Sequence, residues 1–174
     1  MAYVLIACRW ALVLVFLYSA LSKLRGRGAF TAFVASVRRM RLFPERLVGP
    51  VAVVVVAVEV LVPVLLASRL TAVPGFVTAL ALLTAFTSGI IVVLRRGTVT
   101  SCRCFGASDV PLGRQHVVRN LGLITLAVLG LAGVAAPDDG AAPAGVVVSV
   151  AVAFVLAFVA STLDDLVALF REHA

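Results

Sequence analysis

Two thiols one residue apart, Cys102 and Cys104, stand in the stretch Ser101-Cys102-Arg103-Cys104-Phe105-Gly106, a polar break between two long apolar runs. Cysteine chemistry runs through the thiolate, which needs solvent access and nearby positive charge. Arg95, Arg96, Arg103, Arg114 and Arg119 supply that charge from the stretch and its flanks. Such a pair cycles between dithiol and disulfide. One thiolate attacks a partner's disulfide, and the other resolves the mixed disulfide that forms. The close spacing favours fast resolution. The tight ring of a Cys-x-Cys disulfide is more strained than that of Cys-x-x-Cys, which makes it more oxidising. Gly106 and Gly113 allow the segment to fold sharply, and a helix starting near Arg114 would add the positive end of its dipole.

Two other readings of the thiols compete with exchange. One is a static disulfide or an idle pair. The other is soft-metal binding by Cys102, Cys104 and His116, since thiolates suit zinc or copper(I). Three ligands in a basic setting are one short of a closed structural site, so no metal centre is assigned. His116, at a helix start, reads as a capping or interfacial group. The third cysteine, Cys8, lies in the first apolar run and reads as a small packing residue.

The elements that hold these thiols are membrane elements. Of the 174 residues 63% are hydrophobic and 13% charged, and the mean hydropathy is +1.17. That composition does not fit a water-soluble surface. The apolar runs are continuous rather than alternating and about as long as a spanning helix needs, which reads as an integral membrane protein built of helices. The net charge of +7 sits between apolar runs with no soluble domain to present it, which argues against a nucleic-acid binder. The first apolar run has no basic leader and no small-residue cleavage site, and reads as a retained helix.

The sequence predicts an all-α, polytopic bundle of four to five transmembrane spans, one integral membrane unit over residues 1–174. The spans are expected at about 4–21, 47–67, 75–94, 115–135 and 146–163. Between the first two, Phe30, Phe33, Val34 and Val37 recur at helical spacing opposite the arginines and end before Pro44. This pattern predicts an interfacial amphipathic helix. Glu59 and Pro63 lie four residues apart in the second span. Proline has no N–H to give the Glu59 carbonyl, so a polar spot is expected there.

Parity puts the amphipathic segment and the cysteine segment on one side of the membrane. That side carries Lys23, Arg25, Arg27, Arg38, Arg39, Arg41, Arg46, Arg95, Arg96, Arg103, Arg114 and Arg119, against Arg9, Arg69 and Arg171 elsewhere. The positive-inside rule assigns it to the cytoplasm, whereas disulfide chemistry favours the outside. Labelling Cys102 on intact cells with a membrane-impermeant thiol reagent separates the two. Cys8 lies towards the other side and is not expected to pair with either thiol. Arg9 and Glu59 are the charged residues deepest in apolar runs. Their depths differ by only about 4 to 5 Å at the helical rise, which predicts an ion pair or shared polar site, the alternative being that Arg9 snorkels to the interface while Glu59 stays protonated.

Cys102-Arg103-Cys104-Phe105-Gly106, followed by Arg119-Asn120-Leu121 at the head of the next helix, resembles the MauE family. These are methylamine utilisation accessory membrane proteins within the wider DoxX-like group. Phe16-Leu17-Tyr18-Ser19-Ala20-Leu21-Ser22-Lys23-Leu24, Leu42-Phe43-Pro44 and Glu59 extend the resemblance over about residues 10–135. It implies a redox-associated protein of the bacterial inner membrane that helps form or maintain disulfides in an exported client, beside a thioredoxin-like protein. On this view Cys102 and Cys104 are the reactive pair of a thiol-disulfide oxidoreductase, supported by Arg103, Phe105, Gly106, Arg119 and Asn120. Functionally similar bundles such as vitamin K epoxide reductase pass electrons to a membrane quinone, although no residue here marks a quinone site. A non-catalytic assembly factor or soft-metal carrier is the alternative.

Overall fold

The computed structural model describes residues 1–97, 113–136 and 142–172, with side chains as far as residue 162 in the last stretch. Six helices follow in order: α1 (Ala2–Leu24), α2 (Arg27–Arg39), α3 (Glu45–Ala67), α4 (Ala72–Arg95), α5 (Arg114–Ala135) and α6 (Pro143–Glu172). Five of them are long and apolar enough to cross a membrane: α1, α3, α4, α5 and the Pro143–Thr162 part of α6. The described residues contain no strand, so the all-α bundle is as the sequence predicts.

Each crossing helix buries one stripe and leaves the rest of its apolar surface outside. On α1 the buried stripe is Cys8, Leu12, Val15, Ser19 and Lys23, at steps of three and four residues. On α3 and α6 the residues turned outward include Val53, Val54, Val64, Val147, Phe154 and Phe158, each more than half exposed. In water such a surface would drive aggregation; in a bilayer it is the lipid face.

The central helix is α1, which packs against α2, α3, α5 and α6. Leu12, Val15, Phe16, Val62, Leu66, Phe76, Leu83 and Leu123 interlock in the main core. Helix α3 runs antiparallel to α1, since Arg9 of α1 reaches its last carbonyls while Lys23 reaches Glu59. Helix α5 also runs antiparallel to α1, its Gly133 lying against Leu5. Helix α6 starts beside the start of α1, where the Ala142 N–H donates to the Tyr3 hydroxyl at 3.1 Å. At the other end, Arg96 donates to the Arg41 carbonyl at 3.2 Å and ties the end of α4 to the α2–α3 turn.

With no hydrophobic drive between helices in lipid, close packing around small residues does much of the work. Gly130 of α5 sits against the Phe76 ring of α4, and a side chain at 130 would strike that ring. Phe76 is fully buried and cannot swing away. Gly130→Ala is therefore expected to destabilise the bundle by about 1 to 3 kcal/mol, the usual scale of overpacking. Unfolding in a mild detergent reads the effect, and an unchanged midpoint would show that α4 and α5 separate without cost.

The amphipathic segment forms α2, with Arg27, Arg38 and Arg39 exposed as expected. Its apolar side does more than rest at the interface. Phe33 is buried and packs with Ala52 and Val56 of α3, flanked by Phe30, Val34 and Val37.

Candidate functional site

Where α1 ends and α5 begins, the bundle buries a polar cluster. Lys23 of α1 is 2% exposed and Glu59 of α3 is 1% exposed. The Lys23 ammonium lies 2.9 Å from both carboxylate oxygens of Glu59. It also donates to the Ser19 hydroxyl at 2.8 Å, and that hydroxyl donates to Glu59 at 3.0 Å. The three side chains close a small ring, so each buried polar group has a partner. The Phe33 ring of α2 covers the ammonium at 5.0 Å, a cation–π contact. Arg119 of α5, 4% exposed, lies close enough for its charge to act on Lys23. Four helices thus contribute to one site.

This geometry corrects the pairing of Arg9 with Glu59 read from depth. Arg9 instead donates through Nε to the Leu66 carbonyl and through Nη2 to the Ala67 carbonyl, at the end of α3. Two physical effects decide the outcome. Helical side chains lean towards their own N-terminus, so those of α1 reach back along the helix. That carries Arg9 away from Glu59 and carries Lys23 towards it. In addition, the last carbonyls of α3 lack helical partners, and no basic residue lies in its last turn; a guanidinium satisfies them and the dipole together. The neighbouring Leu65 carbonyl accepts from the Thr71 hydroxyl at 2.5 Å.

Lys23 is the member of this cluster that sequence reasoning missed, having counted it as a topology charge at a helix end. A signal was present. It is the only lysine in the chain, and it falls four residues after Ser19 on the buried stripe of α1.

The cluster lies at the end of the bundle where α4 stops and α5 starts. Helix α4 closes at Gly97, which takes a left-handed φ of +64° and donates to the Leu94 carbonyl at 3.1 Å. This is a helix C-terminus that glycine permits at little cost. The chain re-enters at Gly113, whose N–H donates to His116 Nδ1 at 3.3 Å, so His116 caps α5. Cys102, Arg103, Cys104, Phe105 and Gly106 lie outside the described residues. Between the cap and the cluster, α5 buries Gln115, His116, Arg119 and Asn120 on consecutive turns. Asn120 is 1% exposed, and its Oδ1 has no hydrogen-bond partner among the described residues. Arg119 and Asn120, expected beside the thiols, therefore form part of the bundle interior at that end. Cys8 is 3% exposed and free, in the part of α1 next to Arg9.

Among the described residues no group of His, Cys, Asp and Glu has the arrangement of a metal site. The cluster is instead a set of charges in a low-dielectric interior, with the Lys23–Glu59 pair at its centre and the Arg119 charge close by. Such an arrangement ties α1, α2, α3 and α5 together at this end of the bundle.

The family model described as methylamine utilisation protein MauE matches residues 1–133. The match takes in Ser19, Lys23, Glu59, Cys102, Cys104 and Arg119, and begins earlier than the resemblance read from the motifs. A protein of Paracoccus denitrificans, named methylamine utilization protein MauE, is 39% identical over 127 residues, which is 72% of this chain and 67% of the relative. No solved structure matches the chain.

Proposed function

Because the chain belongs to the MauE family, we propose that it serves methylamine utilisation as a bacterial inner-membrane thiol-disulfide exchange protein, with Cys102 and Cys104 as its reactive pair. A thiolate of a reduced client attacks the Cys102–Cys104 disulfide, and one cysteine leaves as the thiolate. The client's second thiolate then attacks the mixed disulfide. The client gains a disulfide, and the pair takes up two electrons and two protons as a dithiol. An oxidised thioredoxin-like partner or a membrane quinone must accept those electrons to restart the cycle.

The observation that carries this reading is the position of the buried cluster. The two glycines that bracket the Cys-x-Cys segment, Gly97 and Gly113, lie at the end of the bundle where Lys23, Glu59, Ser19 and Arg119 meet. Arg95, Arg96 and Arg114 are exposed at the same end. Positive charge and the N-terminus of α5 favour the thiolate over the thiol and so favour exchange.

Redox poise tests the proposal. The membrane-embedded protein is equilibrated in graded thiol–disulfide buffers, and Cys102 and Cys104 are counted by a mass-adding maleimide. An exchanging pair is expected to titrate above about −270 mV, in the range of catalytic dithiols. A midpoint below about −300 mV would mark a structural disulfide and defeat the proposal.

A further inference from the structure

The net charge of the chain is concentrated at one end of the bundle. The end where α1 and α4 begin holds Arg9 and Arg69, with Asp138 and Asp139 in the segment between α5 and α6. These cancel, so the whole net charge of +7 belongs to the other end, where α1 and α4 stop and α5 starts. Helix α6 starts beside the start of α1 and runs with it, Phe158 and Thr162 lining one cavity with Leu14 and Tyr18. Its last turns, with Asp164, Asp165, Arg171 and Glu172, therefore come out at the charged end. Arg171, expected apart from the other basic residues, joins them there. The excess stands with every acid of that end counted, Glu45 and Asp109 included.

Helix α2 turns part of this charge outward. Its apolar side is spent inside the protein, since Phe33 is buried against Ala52 and Val56 of α3 and lies over the Lys23 ammonium. The other side carries Arg27, Thr31, Arg38 and Arg39, all exposed. Between Leu24 and Phe43 no large hydrophobic residue is exposed. A helix that anchors in the interface keeps an apolar face for the acyl chains, whereas α2 gives that face to α3 and shows a polar one to its surroundings. Arg38 pairs with Glu45 at 2.8 Å. Among the described residues, no ion pair or hydrogen bond engages the side chains of Arg25, Arg27, Arg39 and Arg46.

We propose that the outer side of α2, with Arg25 before it and Arg46 after it, is a docking surface for a water-soluble protein whose contact face is acidic. Guanidinium groups take carboxylates through paired hydrogen bonds, and a field of one sign steers an oppositely charged partner to the surface. If the exchange reading above holds, such docking brings a client to the end of the bundle from which the segment with Cys102 and Cys104 departs. The docking itself is read without thiol chemistry.

The test uses the full-length protein in nanodiscs of phosphatidylcholine, which carries no net charge. The probe is a short dye-labelled peptide of alternating glutamate and serine, followed by fluorescence anisotropy, beside the same peptide with glutamine for glutamate. Neither contains cysteine, so failure of the exchange reading leaves the readout intact. The expected result is binding of the glutamate peptide alone, weakened by added salt. It should weaken about fivefold or more in Arg27→Gln/Arg39→Gln, the scale of two exposed charge contacts. Both arginines are exposed and unengaged among the described residues, so this variant is expected to fold as the parent does. Arg69→Gln, at the opposite end, should bind like the parent. No binding, equal binding of the glutamine peptide, or binding unchanged in the double variant overturns the proposal. If the double variant keeps the peptide but loses phosphatidylglycerol from anionic discs, the arginines serve lipid headgroups and the proposal falls.

Discussion

Lys23→Met is expected to destabilise the folded bundle by about 3 to 5 kcal/mol, because it leaves the Glu59 carboxylate buried without its partner. The pair is 2% and 1% exposed, so water cannot compensate. Ser19 can still donate to Glu59, but one neutral hydrogen bond does not replace an ammonium that touches both carboxylate oxygens. Glu59→Gln should cost a similar amount for the converse reason, since it takes the carboxylate from the buried Lys23 ammonium. The double variant Lys23→Met/Glu59→Met removes both charges and should recover most of the loss, since a well-packed apolar pair often matches a buried ion pair. Equilibrium unfolding in mixed micelles reads all three. Single variants within about 0.5 kcal/mol of the parent, the range of ordinary surface changes, would show that the pair holds nothing together.

The second large effect concerns the thiols. Cys102→Ser and Cys104→Ser are each expected to lower turnover of a disulfide or dithiol client by about a thousandfold or more, because a hydroxyl neither forms a disulfide nor ionises near neutral pH as a thiol does. The two losses should not add, since attack and resolution form one cycle. Cys8→Ser should leave turnover near the parent value, because Cys8 is buried in the part of α1 next to Arg9. Purified protein with a model dithiol peptide, followed by alkylation and mass, measures all three.

Much of the scaffold was legible because hydropathy in a membrane chain is a direct record of solvent. Long apolar runs can bury their backbone groups only as helices, and the observed α1, α3, α4 and α5 enclose the runs the sequence marks. The amphipathic pattern of Phe30, Phe33, Val34 and Val37 gave α2 for the same reason, although periodicity could not say that Phe33 would lock onto α3. Side-chain partners were harder to read. Depth along the helix axis brought Arg9 and Glu59 together, but depth omits the lean of the side chain and the pull of unsatisfied carbonyls at a helix end. Both effects send Arg9 to Leu66 and Ala67. Lys23 was hidden by its address, since a cation at the end of a span usually goes to the headgroups. Only the buried stripe that begins at Cys8 and Leu12 shows that it turns inward. Arg119 and Asn120 were found through the family resemblance at the head of α5, and both side chains are buried.

Disulfide exchange between the Cys102–Cys104 pair and another protein can be caught by trapping the mixed disulfide. Cells producing Cys104→Ser are quenched with acid, alkylated and resolved without reductant, beside the parent and the double variant Cys102→Ser/Cys104→Ser. Exchange should give a higher-mass species in Cys104→Ser that reductant collapses to this chain and one thiol-bearing partner, and that the double variant lacks. The same species in the double variant, or none in Cys104→Ser or in the reciprocal Cys102→Ser, would contradict it.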